Sequence, residues 1–230
     1  MIERIQIFGE RCSGTNYLEN LITSNFKDIE ITWDYGWKHW FPENIDKKDN
    51  DDCLFIVLFR NPYDWLSSLH HTPWHVDKTL KDLTFSKFIR TEWKCVYDIY
   101  SGLEENDPKI GKEMMFERNP DTGERFKNVL EMRNYKVREF LALEKKVLNY
   151  TRFRYEDLRD NPNVLKNLSI EFKLKMKDDD IAPYKNYKKT KQTYKPPKYE
   201  PINMVDRFYI RKSLDLKQEK SIGYNPRIIF

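Results

Sequence analysis

The stretch Arg4-Ile5-Gln6-Ile7-Phe8-Gly9-Glu10-Arg11-Cys12-Ser13-Gly14-Thr15-Asn16-Tyr17 decides how the chain is read. Its first five residues have strand character. Just beyond it Leu18, Leu21 and Ile22 recur at helical spacing. A strand, a turn bounded by Gly9 and Gly14, and a helix start together build a cradle for an anion. Backbone N–H groups of the turn and the positive end of the helix face the same point.

The glycine spacing is the G-x-x-x-x-G of a P-loop, but Thr15 stands where nucleotide triphosphatases place Lys. That difference argues for a nucleotide held by its phosphates in a protein that does not hydrolyse ATP. Outward from the turn, strands are expected at Ile5–Phe8, Ile29–Trp33, Leu54–Phe59 and Tyr150–Arg154. Helices are expected near 15–25, 62–71, 84–101, 126–147 and 205–221. The unbroken apolar run Leu54-Phe55-Ile56-Val57-Leu58-Phe59 marks a strand covered on both faces. Strands alternating with helices predict an α/β fold with a central parallel sheet flanked by helices.

The chain has 230 residues, enough for one domain with a real core, and 15% of it is aromatic. Seven glycines and 34% charged residues disfavour a turn-rich all-β protein. No apolar run approaches membrane-spanning length, and a strand that begins at Arg4 leaves no room for a signal peptide. Cys12, Cys53 and Cys95 are too few and too scattered for a disulfide framework. A cytoplasmic, reducing-compartment protein is the expectation. The polar stretch 104–125, with Pro108, Gly111, Pro120 and Gly123, reads as an insertion or mobile loop. The net charge of +4 is uneven: Lys185, Lys188, Lys189, Lys191, Lys195 and Lys198 fall between 181 and 199 with no acid, leaving −2 for the rest. This segment is either a solvated loop or a basic flap over an anionic ligand.

A second motif, Phe59-Arg60-Asn61-Pro62-Tyr63-Asp64-Trp65-Leu66-Ser67-Ser68, begins where the buried strand ends. Ligands of open α/β sheets gather at the carboxyl ends of strands. Arg60 at that edge suits a phosphate, Pro62 suits the first turn of a helix, and Ser68 returns about two turns on. The plain alternative is a strand–helix corner with a surface arginine. A third motif, Arg152-Phe153-Arg154-Tyr155-Glu156-Asp157-Leu158 followed by Asn161-Pro162, is a strand end with an acid pair and a capped turn.

In this order the three segments resemble the sulfotransferases that use 3′-phosphoadenosine 5′-phosphosulfate (PAPS), an enzyme family with a P-loop NTPase-like fold. The 5′-phosphosulfate loop of that family looks like Ser13-Gly14-Thr15-Asn16-Tyr17. Its 3′-phosphate motif looks like Arg60-Asn61-Pro62-Tyr63-Asp64 with Ser68, and its downstream element like Tyr155-Glu156-Asp157-Leu158. The ending Ile222-Gly223-Tyr224 is also similar. The resemblance covers about half of the chain. It implies that Cys12, Ser13, Gly14, Thr15 and Asn16 hold the phosphosulfate, that Arg60 and Ser68 hold the 3′-phosphate, and that Tyr17 and Tyr155 flank the adenine. Both tyrosines also read as plain core rings. Members place Lys or Arg just before Ser-Gly-Thr, whereas this chain has Cys12 there. Arg11 either supplies the charge, pairs with Glu10 or points to solvent.

The resemblance also points to a catalytic histidine in the interval that holds Trp37-Lys38-His39-Trp40-Phe41-Pro42, although the family's Lys-x-His spacer is missing. His39 is the expected base with Lys38 as charge stabiliser; Glu156 is the alternative base. His71 and His75 share helical spacing, but Pro73 breaks that helix, and no metal is expected. The acceptor is expected to be a small molecule or glycan; Trp33, Tyr35, Trp37, Trp40 and Trp74 suggest a carbohydrate, and they equally suit a pocket for a phenol or a lipid-linked glycan. Two other readings stay open: a P-loop kinase, and a single-stranded nucleic-acid binder using the 185–198 lysines with Tyr184, Tyr187 and Tyr194.

Overall fold

The computed structural model describes residues 1–43, 45, 50–186, 192–195 and 197–226. Tyr187, Lys188, Lys189 and Lys191 lie outside them, so three of the six lysines of the expected basic flap are not described. In chain order the elements begin β1 (Arg4–Gly9), α1 (Thr15–Asn25), β2 (Glu30–Ile31), β3 (Cys53–Phe59), α2 (Pro62–His71), α3 (Lys78–Lys81) and α4 (Phe85–Phe88). A 3-10 turn (Met115–Glu117), α5 (Val129–Lys146), β4 (Asn149–Arg154) and α6 (Tyr155–Asp160) follow. A second 3-10 turn (Pro162–Leu165), α7 (Lys166–Glu171), α8 (Met204–Ser213) and α9 (Leu216–Ser221) complete the chain. Two compact units result: Met1–Asn61 with Glu139–Lys198, and Pro62–Arg138 with Tyr199–Phe230.

The first unit is an α/β layer structure around a four-stranded, all-parallel sheet of order β2-β1-β3-β4. Every residue of β3 is buried, as its unbroken apolar run requires. Period-two alternation sorts the strands onto two faces. Ile5, Ile7, Leu54, Ile56 and Leu58 pack with Leu18, Leu21 and Ile22 of α1 and with Leu158, Leu165 and Leu168. On the other face the Phe140 ring of α5 stacks on Phe8 at 5.9 Å and lies 6.5 Å from Phe59. Tyr35 is also buried there, 4.8 Å from Phe55. It packs as a core ring.

The order places β2 and β3 on opposite sides of β1, which makes the carboxyl ends of β1 and β3 the switch point of the sheet. The register aligns Gly9 with Leu58 and Phe59 with Arg154. The three sequence motifs therefore leave the sheet at one edge.

In the second unit, Trp65, Leu66 and Leu69 form the buried face of α2. Arg133 lies fully buried over Trp65, 4.9 Å from the ring centroid, in a two-pronged ion pair with Glu219. The helix expected over 84–101 exists only as α4. Beyond it the chain bonds sideways, with Trp93 N–H to Phe126 O (2.9 Å) and Val96 N–H to His75 O (2.8 Å), which leaves no i to i−4 ladder. The helix expected over 205–221 is broken in two because Asp215 caps α9, accepting from the N–H groups of Lys217 and Gln218. As expected, α2 stops at His71, two residues before Pro73. Among the described residues no helix is long and apolar enough to cross a membrane.

Within 104–125, Glu113 is gripped by Arg125 (2.8 Å) and Arg118 (3.0 Å). The Arg125 hydrogen bond is the main cause that moves its carboxyl from the usual 4.5 down to about 2, against the opposing effect of burial. A depressed folded-state value favours the carboxylate. Its contribution is complete above pH 4.5 and is lost as pH falls towards 2. It amounts to about 3 kcal/mol at most, and less after solvent screening. In urea titrations across that window, the wild type is expected to lose stability faster than Glu113→Gln. Parallel pH profiles would refute the assignment.

Candidate functional site

The turn after β1 is tight because its geometry leaves room for nothing else. A Cβ on Gly9 would stand 2.8 Å from the Leu58 carbonyl oxygen, the Ser13 hydroxyl oxygen and a Thr15 methyl. The Ser13 N–H donates to the Glu10 carbonyl (3.1 Å), closing the turn. Cys12 takes a positive φ of 62°, unusual for a residue with a side chain. Gly14 stands at φ 99°, and a Cβ there would be 2.4 Å from Cδ2 of Tyr155. This glycine lets the third motif's ring lie close against the loop.

Gly14 is also the N-terminal cap of α1. No side chain caps the helix, and its first turn contains no acid. The N-terminal N–H groups and the helix dipole thus keep their attraction for an anion. The Ser13 hydroxyl is fully buried in the same turn, with no hydrogen-bond partner among the described residues.

Arg60 leaves the end of β3 and reaches across to the turn. Its Nη1 donates to the Cys12 carbonyl at 2.7 Å, and its guanidinium lies 4.9 Å from the Tyr155 ring centroid. It is not a surface arginine at an ordinary corner. Tyr17 meets Tyr155 edge-on at 6.2 Å and donates to the Leu158 carbonyl (3.3 Å). Burial, then the neighbouring Tyr155, raises the Tyr17 phenol above its usual value. Glu156 accepts from the Asn61 N–H at 2.9 Å and so ties the second motif to the third. That bond makes Glu156 a clamp between turns, a weaker candidate for a base.

Lys38 and His39 are stitched to the last residue of β1. The Gly9 N–H donates to the Lys38 carbonyl (2.9 Å), and Nδ1 of His39 lies 2.7 Å from the Gly9 carbonyl. A carbonyl only accepts, so Nδ1 bears the proton and the lone pair of the neutral ring is on Nε2. The Trp37 ring stands edge-on to His39 at 4.7 Å. The Lys38 ammonium bonds to Oδ1 of Asn16 and to Glu19 at 3.1 Å, and lies 5.0 Å from the Trp33 ring centroid. Arg11 is buried beneath this segment, its guanidinium 5.9 Å from the Trp37 ring centroid. It does not point to solvent.

One unit thus brings together Arg11, Cys12, Ser13, Gly14, Thr15, Asn16, Tyr17, Lys38, His39, Arg60 and Tyr155. Ser68 belongs to α2 of the second unit, where its carbonyl accepts from the Thr72 N–H (3.0 Å). Sequence reasoning missed Glu19 and the Glu156–Asn61 bond. The first was legible: Asn16 and Glu19 are three apart on one helix, so a cation that reaches one reaches the other. The second joins residues 95 apart and has no local signal. His71 and His75 do not form a metal centre: His75 pairs with Asp98 (2.8 Å), and among the described residues no group of His, Cys, Asp or Glu could hold a metal ion. Compared with known proteins, the chain matches no family model, no curated protein and no solved structure.

Proposed function

We propose that this protein is a sulfotransferase with a P-loop-like nucleotide site, moving the sulfuryl group of PAPS to a hydroxyl, with a carbohydrate the favoured acceptor. The observation that supports this best is the convergence of three motifs at the switch point: the Gly9–Gly14 turn, Arg60 bonded to that turn, and Tyr155 lying on Gly14. The donor fits the residues present. It is an anion, and the turn offers an uncapped helix end, an orphaned buried hydroxyl on Ser13, and the cations Arg11, Lys38 and Arg60. The reading uses residues of the first unit alone.

Each group then has a task. The turn and the start of α1 bind the phosphosulfate end, while Arg60 and Tyr155 orient the adenosine portion. The acceptor hydroxyl forms its bond to sulfur as the bond from sulfur to the 5′-phosphate oxygen breaks. Its proton passes to Nε2 of His39, whose Nδ1–H is anchored on Gly9. Lys38 stabilises charge that builds on the sulfuryl and leaving-group oxygens.

The product 3′-phosphoadenosine 5′-phosphate provides the test. Its presence at a hundred times its Kd adds about 2.7 kcal/mol to stability, so a melting curve is expected to shift upward by several degrees. ATP with Mg²⁺, lacking a 3′-phosphate, is expected to shift it much less, and Arg60→Ala to abolish the shift. Equal stabilisation by ATP would favour a kinase, and no stabilisation by either would remove the proposal.

A further inference from the structure

Three aromatic residues, Trp33, Tyr35 and Trp37, lie between β2 and Lys38-His39, and the structure separates them. Tyr35 is buried on Phe55. Trp37 is partly buried against His39, Trp40 and Arg11. Trp33 alone among them is exposed, with 44% of its surface open to solvent. Its position is specific: Lys38 Nζ is 5.0 Å from its ring centroid. The same ammonium bonds to Asn16 and Glu19.

We propose that Trp33 is the platform of a saccharide-binding subsite, bordered by the polar groups of Lys38, Asn16 and Glu19. The C–H face of a pyranose is weakly positive and apolar, and it stacks on the negative face of an indole. Its hydroxyls need donors and acceptors around the rim. An ammonium, a carboxamide and a carboxylate supply both. A phenol or a lipid chain would instead require apolar walls, whereas the group lying against the Trp33 ring is the Lys38 ammonium, itself bonded to Asn16 and Glu19. Lys38 joins this subsite to the Gly9 turn through its own carbonyl. A sugar on Trp33 therefore lies beside the groups assigned to sulfuryl transfer. The link to sulfation rests on the function proposed above; saccharide binding itself does not.

The experiment is saturation-transfer NMR with chitotriose, cellotriose and 2-naphthol as probes, on wild type, Trp33→Ala and Trp33→Tyr. At least one trisaccharide is expected to receive saturation through its ring C–H protons. Trp33→Ala should weaken this at least tenfold, Trp33→Tyr should retain it, and stabilisation by 3′-phosphoadenosine 5′-phosphate should be unchanged in both variants. The subsite is overturned if no trisaccharide binds the wild type, if naphthol alone binds, or if Trp33→Ala binds trisaccharides as well as the parent. A wild type that binds a trisaccharide at Trp33 but is not stabilised by the nucleotide keeps the subsite and removes the sulfotransferase reading.

Discussion

Replacing Arg133 with methionine is expected to lower the melting temperature by roughly 6–20 °C, the largest change foreseen for any single residue. Arg133 and Glu219 have almost no solvent exposure and face each other through two hydrogen bonds of 2.6 and 3.0 Å. Removing the cation leaves a carboxylate in a place with no water to solvate it, at a cost of about 3–5 kcal/mol. The loss does not measure what the pair contributes. Exchanging both partners for apolar residues, Arg133→Met with Glu219→Leu, should recover most of the stability, because both desolvation penalties then vanish. Calorimetry of the two variants decides the matter. A single variant as stable as the parent would show that the pair is open to solvent.

The second large effect concerns the nucleotide turn. Gly14→Ala must hold a Cβ at φ 99° and must also displace the Tyr155 ring, whose Cδ2 lies 2.4 Å from the position of that atom. Gly36 is a built-in control: it has φ 103°, but a Cβ there meets nothing within 4 Å. Gly36→Ala should therefore cost only the backbone strain, about 1–2 kcal/mol. Gly14→Ala adds an overpacking cost of about 1–3 kcal/mol. Beyond stability, pushing Tyr155 aside takes away the surface on which Arg60 rests. Nucleotide affinity should fall at least a hundredfold in Gly14→Ala, which removes most of the stabilisation, and stay unchanged in Gly36→Ala. Combining Gly14→Ala with Tyr155→Ala should return part of the lost stability by clearing the contact. Similar effects for the two glycine variants would mean that Tyr155 does not lie on the turn.

Much of the first unit was legible along the chain. All four strands appeared close to their expected places, and α1 ran over the expected residues, as did α2 at the start of the second unit, because local signals agree there. An unbroken apolar run, a glycine-bounded turn and a proline at a helix start each act within a few residues. Where the second unit departed from expectation, lateral bonds had replaced local ones. Trp93 binds the carbonyl of Phe126, and Val96 that of His75, so the helical periodicity across 90–101 has no ladder beneath it. Likewise the partner of Arg133 is 86 residues away, and nothing near either residue announces the pairing.

The sequence by itself determined the order of strands and helices, the glycine turn and the residue types able to hold an anion. These depend on backbone conformation and side-chain chemistry, which neighbours in the chain largely set. Only the tertiary structure decided that three turns leave the sheet at one edge, that Arg60 bends onto the Cys12 carbonyl, and that Trp33 stays in water while Tyr35 does not. Those outcomes follow from strand order and register, and register is chosen by how whole faces pack together.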